Sequence, residues 1–118
     1  MVEVSLKSRL PGDDAIGPGK IRLLELVNET GSISAAGRAM DMSYRRAWLL
    51  IDELNCIFRE PVATSRLGGR DGGGATLTPF GVDLIRCYRA IESRILRSSQ
   101  AHLDAIGAAV SDRRSKRR

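Results

Sequence analysis

Between Lys20 and Phe58, apolar residues recur at spacings of three and four in three successive blocks. Only two short breaks, Gly31-Ser32 and Asp41-Met42, separate the blocks. Apolar positions at that spacing line one side of an α-helix. The segment therefore predicts three helices joined by turns too short to let them part. The first runs over Lys20–Glu29, with Ile21, Leu23, Leu24, Leu26 and Val27 as a broad buried stripe, and Gly31 stops it. The second, Ile33–Met40, is capped by Ser32. Its Ala35, Ala36 and Ala39 supply the slim inner face that close packing on a third helix requires. Asp41 stands where such a turn needs a left-handed residue, a conformation Asp tolerates better than most. Ser43 caps the third helix, which presents Ala47, Leu50, Ile51, Leu54 and Phe58 to the core and ends before Pro61.

The flanks are shorter and more regular in their punctuation. Val2, Val4 and Leu6 alternate with Glu3, Ser5 and Lys7, which predicts a strand over residues 2–10 with one buried face. The Gly- and Pro-rich stretch that follows reads as a loop leading into the first helix. Val62–Leu67 and Ala75–Leu77 are β-compatible and bracket GGRDGGG (68–74), a hairpin with a flexible tip. Thr78 caps and Pro79 opens a fourth helix. Leu84, Tyr88, Ile91 and Ile95, then Leu103, Ile106 and Val110, carry its pattern to about residue 110. Thirty residues of helix span about 45 Å, longer than a domain this small. Apolar side chains on the overhang are exposed unless another chain covers them. Leu84, Tyr88, Ile91, Ile95 and Leu103 are therefore assigned to a dimer seam, with Leu84 and Tyr88 also able to complete the core. The order of strand, three helices, hairpin and long helix is that of a winged helix-turn-helix. The expected fold is mainly α with a small β hairpin and a long C-terminal dimerisation helix. Residues 1–78 form the DNA-binding domain, 79–110 the long helix, and 111–118 a basic, disordered tail.

Composition narrows the function. The 118 residues carry 19 basic and 14 acidic groups, a net charge of +5. Five of those cations lie in the terminal RRSKRR, so residues 1–112 hold 14 of each sign and are neutral overall. The tail reads either as a nonspecific aid to DNA binding through counterion release or as a solubilising extension. Sixteen of the basic residues are Arg, the side chain that grips phosphate or guanine through paired hydrogen bonds. A single His and two separated Cys fall short of a metal site. Cys56 and Cys87 are expected to be small buried hydrophobes, and His102 an exposed helix residue. No apolar run reaches a membrane span and no signal peptide opens the chain, so a cytoplasmic protein with reduced thiols is expected. Asp13-Asp14 are merely adjacent, and Ala75-Thr76 after the glycines replaces the Lys-Ser or Lys-Thr of a phosphate-cradling loop. No enzyme, cofactor or metal is expected.

Projected at 100° per residue, the third helix turns Arg45 and Leu49 directly away from its core face, with Arg46 and Tyr44 to either side. Arg45 suits guanine and Leu49 a thymine methyl, while the helix N-terminus suits a phosphate. Asp52 and Glu53 lie further along and repel phosphates, so only the N-terminal half is expected in the groove. Tyr44 has two roles open: a phosphate or base-edge contact, or packing on the first helix. Trp48, on the flank, reads chiefly as a partly buried anchor at the border of this set. Ser32, Ser43, Arg66 and Arg70 complete the candidate DNA contacts, the two arginines through the glycine-rich wing. A competing reading is a winged-helix module that binds another protein, which the neutrality of residues 1–112 keeps open.

Residues 16–55 (IGPGKIRLLELVNETGSISAAGRAMDMSYRRAWLLIDELN), 68–81 (GGRDGGGATLTPFG) and 84–91 (LIRCYRAI) carry a specific resemblance. The stretch from about residue 17 to 96 resembles the N-terminal DNA-binding domain of the ModE-type molybdate-responsive transcription regulators, itself related to the winged helix of LysR-type regulators. The resemblance implies a homodimeric repressor or activator on double-stranded DNA with an inverted-repeat operator. It also implies DNA contact from Ser43, Tyr44, Arg45, Arg46 and the wing, and control of molybdate or related oxyanion uptake or use. Regulators of the full type carry C-terminal molybdate-binding modules, for which 118 residues leave no room. The expectation is a regulator without such a module, served by a separate oxyanion-sensing partner or by another signal.

Overall fold

The computed structural model describes residues 4–12, 14–65 and 74–111. Its element order is β1 (Ser8–Arg9), β2 (Ala15–Ile16), α1 (Pro18–Thr30), α2 (Ile33–Ala39), α3 (Tyr44–Ile57), β3 (Ala63–Ser65), β4 (Ala75–Leu77) and α4 (Pro79–Ala108). The described chain is thus mostly helical, with two small antiparallel hairpins, β1–β2 and β3–β4. No helix among the described residues is long and apolar enough to cross a membrane.

The helix boundaries follow local chemistry. α1 starts at Pro18, whose missing N–H costs nothing in a first turn. It ends on Gly31 at φ 70°, whose N–H donates to the Val27 carbonyl at 2.8 Å. Ser32, Ser43 and Thr78 each accept a backbone N–H three residues ahead, from Ala35, Arg46 and Gly81 at 3.0, 3.1 and 3.0 Å. Those caps fix where α2, α3 and α4 begin. Asp41 takes the left-handed turn at φ 59°, and the Gly37 carbonyl accepts from Met40 and Met42 at 3.0 and 2.9 Å.

α2 meets α3 through Ala36 and Gly37, not through Ala39, which is exposed. At 100° per residue, positions 33, 36, 37 and 40 share one arc of about 100°, and 39 falls outside it. Gly37 makes the close approach: a Cβ there would sit 3.1 Å from the Ala47 Cβ. On the facing helix Ala47, Ile51 and Leu54 are buried, with Leu50 and Phe58 half-buried beside them. The main core is aliphatic, built from Leu23, Leu24, Val27, Ala36, Ala47, Leu54 and Val62, all without exposed surface. Phe58 and Phe80 close one edge, ring edge toward ring face, with centroids 5.2 Å apart.

The N-terminal segment departs from a single long strand. β1 is two residues long and pairs with β2, Ser8 opposite Ile16 and Arg9 opposite Ala15. The loop expected after residue 10 therefore contains a strand, too short for alternation to reveal. Exposure does alternate over residues 4–10, while Val2 and Glu3 lie outside the described residues. Ile16, Ile21 and Tyr88 form a second, smaller core cluster, with Leu6, Leu10 and Leu84 against it. Tyr88 keeps only 4% of its surface, and its hydroxyl donates to the Leu6 carbonyl. Burial, then the nearby Glu92 charge, raise the pKa of that hydroxyl above the usual phenol range. Tyr88 is therefore core, not seam. Leu84 packs against both clusters and joins it there.

The two cysteines also differ from expectation: both are exposed. Cys56 continues the outward face of α3 at positions 45, 49, 52 and 56. Cys87 sits beside Tyr88 but about 100° round α4, away from the core.

Candidate nucleic-acid interface

The first two turns of α3 form an open ridge. Ser43 is occupied as a cap by the Arg46 N–H, so its hydroxyl oxygen is already engaged in starting the helix. Tyr44, Trp48 and Leu49 are 45%, 41% and 49% exposed, unusual values for large apolar side chains, and Arg45 and Arg46 are exposed among them. Neither arginine is in an ion pair among the described residues, whereas Lys20, Arg22, Arg86 and Arg89 all are. The acidic half of the helix is partly neutralised. Glu53 pairs with Lys20 of α1 at 3.0 Å, while Asp52 remains exposed. Charge on α3 thus divides along its axis, with uncompensated guanidiniums at the start and carboxylates beyond.

The β3–β4 hairpin flanks this ridge. Its register is Ala63–Leu77, Thr64–Thr76 and Ser65–Ala75. Ser32 bridges to Gly74, and Ala75 N–H donates to the Gly31 carbonyl at 3.1 Å, so the start of α2 lies alongside β4. Ser32 is half-buried there, its hydroxyl accepting from Ala35. Trp48 faces the hairpin across a cleft of about 130 Å3, lined also by Asp52, Asn55, Thr64 and Ser65. Trp48 lines this cleft but is exposed, not the partly buried side chain expected. Arg66, Arg70 and the tail 112–118 lie outside the described residues.

Two groups that orient the hairpin escape sequence reasoning. Asn55 accepts from Val62 N–H at 2.7 Å and Ala63 N–H at 3.3 Å, and its amide donates to the Ala63 carbonyl at 3.1 Å. One α3 side chain thereby fixes the entry of β3. Thr78, legible as a cap, also donates from its hydroxyl to the Pro61 carbonyl at 2.6 Å, and its N–H donates to Val62 at 3.0 Å. An Asn near a helix end is the signal that was available, since such side chains seek nearby backbone. Its partners, seven and eight residues ahead, were not.

α4 leaves the core after Tyr88. Ile91, Ile106 and Val110 are 48%, 59% and 64% exposed, and Ile95 and Leu103 half-buried. At the point of departure Arg89 donates to Glu25 of α1 at 2.8 and 3.0 Å and to Glu92 at 2.8 Å. The Arg89 hydrogen bonds hold the Glu25 carboxyl below its usual pKa against the opposing effect of burial, with Arg22 assisting. Among the described residues, no group of three or more His, Cys, Asp or Glu side chains is placed to hold a metal ion.

No family model matches the chain. Individual proteins do. It is 43% identical over 82 residues to the molybdenum-pterin-binding protein MopB of Rhodobacter capsulatus, covering 70% of this chain and 30% of that protein. To the molybdenum transport protein ModE of Azotobacter vinelandii it is 41% identical over 78 residues, 66% of this chain and 29% of that one. To the transcriptional regulator ModE of Yersinia pestis it is 32% identical over 117 residues, 94% of this chain and 43% of that one. The chain is thus related to the ModE and Mop proteins, and it spans less than half the length of each of these relatives.

Proposed function

We propose that the chain acts as a sequence-specific DNA-binding transcription regulator of ModE-like type, built as a winged helix-turn-helix. α3 serves as the recognition helix, α2 and the Asp41 turn brace it, and β3–β4 is the wing. The observation that carries this reading is the ridge of Tyr44, Arg45, Arg46 and Leu49. Its two guanidiniums have no ion-pair partner among the described residues, on the half of α3 free of acids. Arg offers paired donors to guanine, and an exposed Leu offers apolar contact to a thymine methyl. The name of the Escherichia coli relative, a DNA-binding transcriptional dual regulator, agrees with this assignment. The molybdenum in the names of MopB and ModE supports control of molybdate, or a related oxyanion, as the biological setting.

The apolar face of α4 pairs with a second copy, with exposed Ile91 and half-buried Ile95 and Leu103 at the seam. Two-fold symmetry then calls for an inverted-repeat operator with half-sites about 34 Å apart or a multiple. The oxyanion signal reaches this module from a separate binding site. The setting is cytoplasmic, and the protein is no enzyme.

Selection of bound duplexes from a random pool, followed by titration of the winners at several salt concentrations, tests the proposal. Enrichment of an inverted repeat is expected. Arg45→Ala should lose about 1–3 kcal/mol of preference at the base pair it reads. No enrichment, with equal affinity for every duplex, overturns it in favour of a protein-binding module, the reading that the neutrality of residues 1–112 keeps open.

A further inference from the structure

Beyond base reading, three cations come together on one side of α3: Lys7, Lys20 and Arg46. They come from separate places in the chain: the segment before β1, the first turn of α1, and α3. All three line one open groove of about 380 Å3 that passes Gly17 and Gly19. The groove does not stop at Arg46. Arg46 and Leu50 also line the neighbouring depression with Ser43, Arg45 and Leu49. One continuous surface therefore leads from Lys7 to the outward face of α3, on the side away from the Trp48 cleft.

Each cation is held in a different way. The Lys7 stem lies against the start of α1, where a Cβ on Gly17 would meet the Lys7 Cγ at 3.9 Å, and Lys7 is exposed. The Lys20 ammonium donates to the Ala15 carbonyl at 3.1 Å and to Glu53 at 3.0 Å. That leaves one of its three N–H groups for another acceptor. Arg46 has no ion-pair partner among the described residues. Glu53, the carboxylate at this edge, is already paired with Lys20, so an incoming anion does not meet it bare.

We propose that this groove binds a phosphodiester of the DNA backbone beside the base pairs covered by α3. The proposal rests on the DNA-binding reading above. Lysines act as point charges that suit a phosphate and do not discriminate bases, and the groove adjoins the ridge that would occupy the major groove. Lys7 and Lys20 then fix the register of the duplex while Arg45 reads it.

The test is fluorescence anisotropy of the intact protein with a labelled preferred duplex and an unrelated one, from 50 to 200 mM salt, for wild type, Lys7→Ala and Lys7→Arg. Losing one phosphate contact makes the log–log salt slope shallower by about 0.9 per bound chain. Over a fourfold rise in salt, wild type should therefore lose roughly 3.5-fold more affinity than Lys7→Ala for each bound chain, about 12-fold for a dimer seated on both half-sites. Both duplexes should weaken by the same factor, and Lys7→Arg should restore slope and affinity. An unchanged slope in Lys7→Ala, or a loss confined to the preferred duplex, overturns the groove assignment and leaves the DNA reading standing. Wild type that binds neither duplex removes both. A second arm titrates inorganic phosphate into the free protein and follows the amide resonances of Gly17, Gly19 and Lys20. Saturable shifts there, with the salt slope unmoved by Lys7→Ala, assign the groove to a free oxyanion instead and also overturn the proposal.

Discussion

Replacing Asn55 by alanine isolates the coupling between α3 and the hairpin. The side chain serves three backbone groups: Val62 N–H at 2.7 Å, Ala63 N–H at 3.3 Å and Ala63 C=O at 3.1 Å. Val62 is wholly buried and Ala63 nearly so, at 0% and 4% exposure. A buried donor stripped of its acceptor costs about 1–3 kcal/mol, and the loss of a further neutral hydrogen bond about 0.5–1.5. The weak bond to Ala63 N–H adds little, so Asn55→Ala should cost about 2–4 kcal/mol. For a domain of this size that is a fall in melting temperature of roughly 8–16 °C. Urea unfolding followed by circular dichroism gives the free energy directly. Asn55→Asp keeps the acceptor oxygen but sets a carboxylate against the Ala63 carbonyl, so it should fall between wild type and alanine. A loss below about 0.5 kcal/mol for Asn55→Ala, within the range of ordinary surface changes, would refute the claim that this side chain holds the hairpin.

Gly81→Ala should be the more severe of two glycine substitutions. A Cβ at Gly81 would lie 2.1 Å from the Val62 carbonyl oxygen, which already accepts from Thr78. The first turn of α4 must then move and give up the Thr78 cap, a loss of roughly 2–4 kcal/mol by urea unfolding. Gly19→Ala, with nothing within 4 Å, should instead stabilise by about 0.4–1 kcal/mol. Glu25 gives a pH signature. Its carboxyl is held low chiefly by Arg89, so its contribution is complete above the ordinary carboxylate range, roughly pH 5 and upward. It is lost as pH falls through the lowered folded value. Glu25→Gln should flatten that part of the profile of urea midpoint against pH, and an unchanged profile would contradict the pairing. If α4 forms the proposed dimer seam, Leu103→Glu should halve the mass seen by analytical ultracentrifugation without unfolding the monomer. Tyr88→Phe should cost about 1 kcal/mol and leave the mass unchanged. The opposite pattern would return Tyr88 to the seam.

What was legible in the sequence shares one physical property: it is decided within a turn or two of the residue concerned. The caps Ser32, Ser43 and Thr78 bond three residues ahead, and the left-handed Asp41 follows from its own side chain and its place in a short turn. The β4 bounds and the outward set on α3 follow from alternation and from a 100° rotation per residue. What was missed depends on partners far along the chain or on which residue faces a neighbour. Tyr88 stands open between seam and core until its hydroxyl meets Leu6, 82 residues away. The close approach at Gly37 depends on Ala47, ten residues on, lying against it. The β1–β2 hairpin has too few residues to announce itself, and the two cysteines were placed by residue type rather than by helical angle.

The same division applies to the candidate interface and separates two classes of variant. Tyr44, Arg45, Arg46 and Leu49 are presented by local rules alone, a capped start and an outward angle, so substituting them should leave the fold intact and change what the surface contacts. The elements that aim this surface are tied by long-range groups. Asn55 links α3 to β3, Lys20–Glu53 links α1 to α3, and Tyr88 links α4 to the N-terminal segment. Loss of any of these should shift the elements relative to one another. On the proposed reading, a duplex would span the ridge, the hairpin and the Lys7 groove only with those angles correct. Aiming variants should therefore lose affinity and stability together, whereas variants on the face should lose affinity at constant stability.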